Sequence, residues 1–169
     1  MKSFKLSPIF YILLGIVFGL TIRYGKNLNV NQITAPTPSP TVDITNTKSL
    51  LIGGVKVAVE VVNTPEEMAR GLSGRENLEQ GTGMLFVYKK PQHATFWMPN
   101  MNFPIDIIFI RDNTVVSLYE NIPNHPKDTP LEDLPRYPSN EPVDMVLEVP
   151  AGWASKNYIV TGTKITFTE

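Results

Sequence analysis

"IDIIFIRDNTVVSLYENI", Ile105 to Ile122, decides the fold. Two apolar runs flank Arg111-Asp112-Asn113, a turn-forming tripeptide. Side chains of an extended chain alternate between faces. Ile105, Ile107 and Phe109 thus share one face, and Asp106, Ile108 and Ile110 share the other. The segment reads as a β-hairpin whose first strand is covered on both sides, with Asp106 partly buried at its start.

Further strands appear on either side. "VDMVLEV" (Val143 to Val149) and "VKVAVEVV" (Val55 to Val62) alternate, and "TKITFT" closes the chain. "GMLFVY" (Gly83 to Tyr88) and "ATFWM" (Ala94 to Met98) read as a strand pair joined by "KKPQH". In "NTPEEMARGL", Thr64, Pro65 and Glu67 form a helix-start signature and Gly71 a stop. "PAGWASKNY" reads as a second short helix, with Trp153 packing on the sheet or standing free as a stacking platform. About seven strands with two short helices predict an all-β domain. The expected form is a mainly antiparallel β-sandwich, jelly-roll-like or a small barrel. Ile122 to Pro142 breaks the rhythm with six prolines and no period. It is either a functional lid or a cover for the sheet.

The N-terminus is different in kind. Lys2 and Lys5 precede an uncharged apolar run from Leu6 to Ile22, and Arg23 and Lys26 follow. Residues 1–26 read as a signal-anchor helix crossing a membrane through residues 6–22, or as a signal peptide. The nearest cleavage pattern, Gly19-Leu20-Thr21, is a poor match. Residues 27–49, rich in Asn, Thr and Pro, read as a flexible tether, and residues 50–169 as the domain. The expected placement is extracytoplasmic: membrane-anchored, or secreted or periplasmic if the leader is cleaved.

Composition excludes several function classes. Residues 50–169 carry ten Lys/Arg against fifteen Asp/Glu, which disfavours nucleic acid as a partner. With no cysteine and only His93 and His125, no metal site and no cofactor is expected. No serine has the setting of a hydrolase nucleophile.

The blocks "MARGLSGRENL", "GMLFVY", "FWMPNMNFPIDIIFI" and "VLEVPAGWA…GTKITF" occur in an order and spacing that resemble a bacterial and archaeal family, domain of unknown function 192. The resemblance spans residues 53–168. It implies a small, mainly β, jelly-roll-like domain behind a signal or membrane segment, and it implies no particular activity. Pro99 stands where the family usually has a basic or polar residue, and the long loop lacks the cysteines of some members.

The candidate ligand-binding residues are Arg75, Trp97, Met98, Asn100 and Asp106, with Arg70, Glu120 and Glu148 secondary. A buried carboxyl needs donors or a cation. Asp106 therefore either accepts from N–H groups of the 99–104 loop, pairs with Arg75, or points with Asn100 into a pocket. Arg70 and Arg75 flank "GLSG", where two guanidinium groups either hold an anion or pair with Asp106, Glu120 or Glu148. Trp97 is a core residue or a stacking platform. Glu120 and Glu148 could act as paired carboxylates of a hydrolase. The leading expectation is a binding module of the cell envelope for an unidentified ligand or protein. The alternatives are a hydrolase acting on envelope polymers and a structural scaffold.

Overall fold

The computed structural model describes residues 47–168. The expected membrane segment and most of the tether lie outside the described residues. No helix among the described residues is long and apolar enough to cross a membrane. The domain is mostly β with two short helices, as the sequence predicts.

The strands are β1 (Thr47–Ile52), β2 (Val55–Val62), β3 (Thr82–Gln92), β4 (Thr95–Phe96), β5 (Ile105–Arg111), β6 (Thr114–Ile122), β7 (Tyr137–Pro138), β8 (Val143–Pro150) and β9 (Ile165–Thr168). Helix α1 spans Pro65–Arg70 and α2 spans Trp153–Lys156. Seven strands form one curled mixed sheet in the order β6-β5-β8-β3-β2-β1-β9. Only the β2–β3 pair is parallel, because α1 and its loop carry the chain back between them. The edges of the sheet meet at one end. Val115 N–H donates to Thr163 O at 2.9 Å, and Ile165 N–H to Asn113 O at 2.9 Å.

The expected β5–β6 hairpin forms. Its turn holds Asp112 and Asn113 at φ 48° and 56°, the left-handed pair that a tight two-residue hairpin requires. All six residues from Ile105 to Ile110 are buried. The helix signature also folds as read. Thr64 Oγ1 accepts from Glu67 N–H at 3.3 Å, and Glu67 Oε2 accepts from Thr64 N–H at 3.2 Å.

Of the expected forms the barrel is the nearer: the large sheet is a curled half-barrel, its outer face covered by loops and the small β4–β7 sheet instead of a second large sheet. Two expectations need correction. "ATFWM" does not pair with "GMLFVY": β3 lies between β2 and β8, and Thr95 and Phe96 pair with Pro138 and Tyr137. Strand pairing begins at Thr47, three residues inside the stretch read as tether, because β1 has partners on both sides in β2 and β9.

The sheet therefore has two apolar faces. The enclosed face gathers Leu50, Val59, Leu85, Ile108, Leu147 and Ile165 from six strands, with Trp153 and Ala154 of α2. The outer face packs Met84, Phe86, Ile107, Phe109 and Val146 against Leu72, Met98 and Met101 from the loops. An edge-to-face chain of rings, Phe86–Phe96–Phe109–Tyr119–Tyr137, binds β4 and β7 to that outer face. The proline-rich 122–142 segment thus acts as a cover. Ala94 N–H donates to Ser139 Oγ at 3.0 Å, and Ser139 N–H to Ala94 O at 2.7 Å.

Candidate functional site

Asp106 faces the enclosed side and is fully buried. Its Oδ1 accepts from Asn121 N–H at 2.7 Å and Gly152 N–H at 3.0 Å, and its Oδ2 from Ala154 N–H at 2.8 Å. The local sequence explains these donors. Between Ile105↔Ile122 and Ile107↔Tyr119, β6 carries one residue more than β5. That bulge places Asn121 at φ 53° and turns its N–H toward the carboxyl. The other two donors open α2, where no intrahelical acceptor exists. Asp106 thereby caps α2 across the sheet and seats Trp153 in the enclosed core.

The outer face holds the other buried carboxyl. Along β8, Leu147 and Val149 point inward, so Glu148 points outward, flanked in register by Met84 of β3 and Ile107 of β5. It is 5% exposed. Among the described residues no ion pair or side-chain hydrogen bond engages it. Burial in this apolar row pushes its pKa up to about 8, with Arg75 pulling it partly back. Tyr88, two residues beyond Phe86 on β3, is pushed up to about 12 by burial and then by the charge of Glu148.

Glu148 forms part of the lining of an open pocket of about 170 Å³ between the 68–73 and 95–101 segments. Met68, Leu72, Phe86, Phe96, Met98 and Met101 supply apolar surface. Arg70, Ser73, Tyr88, Trp97 and Glu148 supply the polar groups. The two segments are stitched together. Ser73 Oγ donates to Pro99 O at 2.9 Å, Gly74 N–H to Asn100 O at 3.0 Å, and Asn102 Nδ2 to Arg75 O at 2.6 Å. Asn100 adopts φ 54°, which turns its carbonyl to that bond. Arg75 is committed to Glu60, Nη2 to Oε2 at 2.7 Å. Arg136 of the long loop stacks on the Trp97 ring, 3.8 Å from its centre.

The profile of the family DUF192, described as "Uncharacterized ACR", matches residues 48–167. The chain belongs to this family. Two crystal structures share the DUF192 domain's fold. One is a protein of unknown function from Novosphingobium aromaticivorans, 29% identical over 79% of this chain and 94% of its own, with a TM-score of 0.67. The other, from Sinorhizobium meliloti 1021, is described as a candidate transcription regulator; it is 26% identical over 72% of this chain and 93% of its own, with a TM-score of 0.64. No curated protein matches the sequence.

In this DUF192 domain the five candidate residues divide. Trp97 and Met98 line the pocket, while Arg75 and Asn100 brace its rim through Glu60 and Gly74. Asp106 takes no part: its donors are Asn121, Gly152 and Ala154, neither the 99–104 loop nor Arg75. Of the secondary residues, Arg70 and Glu148 line the pocket, and Glu120 is exposed on β6 away from it. Sequence reading missed Tyr88, although its alternation with Phe86 already placed the two on one face. It also missed Ser73 and Met101, whose roles depend on two loops meeting. Among the described residues no group of three His, Cys, Asp or Glu side chains is placed to share a metal ion.

Proposed function

We propose that this DUF192 domain is a ligand-binding module of the cell envelope, held at the membrane by its N-terminal segment and using the pocket over Glu148. The carrying observation is Glu148 itself: a buried carboxyl without a partner whose pocket is open to solvent. Unpaired buried carboxyls are unfavourable, so one retained at a pocket is a group reserved for an incoming partner. Glu148 is the single acidic residue lining the pocket. Two-carboxylate hydrolysis needs a second acid facing the first, and the other candidate, Glu120, stands outside the pocket. That supports binding over hydrolysis.

The basic flanks and apolar run of residues 2–26 support the anchored placement. Two measurements test the reading. A small-fragment screen by NMR on the full chain in detergent micelles is expected to give hits that shift signals of the 68–73 and 95–101 segments. Replacing the exposed lining residue Ala69 by Trp is expected to remove them. Hits that survive that change, or none at all, refute the pocket. In cells, the chain is expected to resist alkaline extraction from membranes and to be cut by protease added outside the cytoplasmic membrane. Recovery of uncut chain in the cytosolic fraction refutes the placement.

A further inference from the structure

The chemistry of the pocket selects one class of ligand. We propose that it takes a primary alkylammonium group, a lysine side chain or a free alkylamine, with the stem along the methionine and aromatic surfaces and the charge on Glu148. This rests on the pocket reading above and goes beyond it by naming what enters.

Three observations carry the inference. First, the polar end is an acid that no ion pair or side-chain hydrogen bond among the described residues engages. Arg75, whose field reaches Glu148, is held on Glu60 at 2.7 Å. An anionic ligand is repelled by Glu148 once it is ionised, and a purely apolar one leaves it unpaired. Second, the walls suit a cation on a greasy stem. Phe86 and Phe96 offer aromatic surface, Trp97 the ring surface left beside Arg136, and Met68, Met98 and Met101 polarisable thioethers. Ser73 has its hydroxyl proton committed to Pro99 O at 2.9 Å. Third, the volume fits one side-chain-sized group. About 170 Å³ is close to the roughly 150 Å³ of an engineered cavity that holds benzene.

Binding has a proton signature. The free acid, raised to about 8, is mostly neutral at pH 7. The ammonium binds its carboxylate, so R–NH3+ and Glu148–COOH give the ion pair and a released proton. No other bond changes. The groups facing Glu148 are Tyr88 of β3, which stays neutral in this range, and Arg75 with its partner Glu60. Exposed Arg70 shares the lining, and water screens its charge.

The test titrates n-butylamine, the methylamide of Nα-acetyl-lysine, and 1-butanol as the uncharged isostere into the full chain in micelles, by calorimetry. The amines are expected to bind at least about tenfold tighter than butanol at pH 8. Their affinity is expected to rise about tenfold per pH unit from pH 6 to just below 8, with proton release seen as a dependence on buffer ionisation heat. Glu148→Gln is expected to abolish both the preference and the pH slope. The wild-type slope alone serves if that variant folds poorly. Tighter binding of the lysine derivative points to a peptide lysine, and tighter binding of butylamine to a free amine; either supports the class. Amine binding no tighter than butanol, flat between pH 6 and 8, or unchanged in Glu148→Gln overturns it. If butanol binds and Ala69→Trp blocks it, the cation falls while the pocket stands. If no probe binds, the cation falls, and the fragment screen decides the pocket separately.

Discussion

Asp106 on β5 and Glu148 on β8 are buried carboxyl residues on adjacent strands, one behind each face of the same sheet. Asp106 meets three backbone N–H groups at 2.7 to 3.0 Å, while Glu148 has the apolar Met84 and Ile107 as its register neighbours. Donors come to Asp106 because a bulge and a helix start happen to end beside it. No such irregularity interrupts the ladder around Glu148. The contrast separates two uses of a buried acid. Where the fold satisfies the group, it is a joint; where the fold leaves it without a hydrogen-bond partner beside a pocket, it is open to a ligand.

Substitutions can break that contrast in opposite directions. The largest expected effect is Asp106→Ala, which strands three buried donors and uncaps α2. Stability in chemical denaturation is expected to fall by about 4 kcal/mol, with Asp106→Asn intermediate because one amide oxygen replaces two acceptors. A loss below about 1 kcal/mol would remove Asp106 from its role as a joint.

Glu148→Gln is expected to act the other way. The folded acid binds its proton up to about pH 8 and the unfolded one only near 4.5. The folded state therefore holds the extra proton between these values. Its stability is full below about pH 4.5 and declines as pH rises to about 8, by roughly 1 kcal/mol per unit. Glu148→Gln is expected to flatten this slope and to exceed wild type at pH 8 by on the order of 3 to 4 kcal/mol. A wild-type stability that is level from pH 5 to 8 would mean that Glu148 is not held in its acid form.

Smaller effects sharpen the comparison at its margins. Thr64→Ala removes the α1 cap beneath the pocket and is expected to cost about 1 kcal/mol, read as a drop in thermal midpoint. Arg75→Met frees Glu60 and is expected to cost about 0.5 kcal/mol, since the pair is part exposed. Its more telling result is an upward move of the Glu148 titration, followed by the carboxyl carbon signal in NMR. No move would place Arg75 outside the field of the pocket.

What the sequence displayed was local. The β5–β6 hairpin, the Thr64–Glu67 cap and the doubly buried "IDIIFI" all follow from residues within a few positions of one another. Alternation along "VLEV" placed Glu148 opposite Leu147 and Val149. What it hid was assembly over distance. The donors to Asp106 lie 15, 46 and 48 residues away. The parallel β2–β3 pair and the pocket where residues 68–73 meet 95–101 likewise have no periodic signature. The sequence thus marked Asp106 as a carboxyl in need of partners without identifying them. It ranked Glu148 second because the cover of its face is made by loops.

The pairing of β1 with β9 joins the first and last strands of the domain, with Thr168 Oγ1 donating to Ser49 O at 3.0 Å. During synthesis the earliest strand must wait for the final residues before its outer ladder is filled. Its exposed flank, Thr47 to Ile52, is an aggregation hazard throughout that interval. Closure of the β1 flank thus waits on β9. A chain that lacks β9 keeps an open seam along β1.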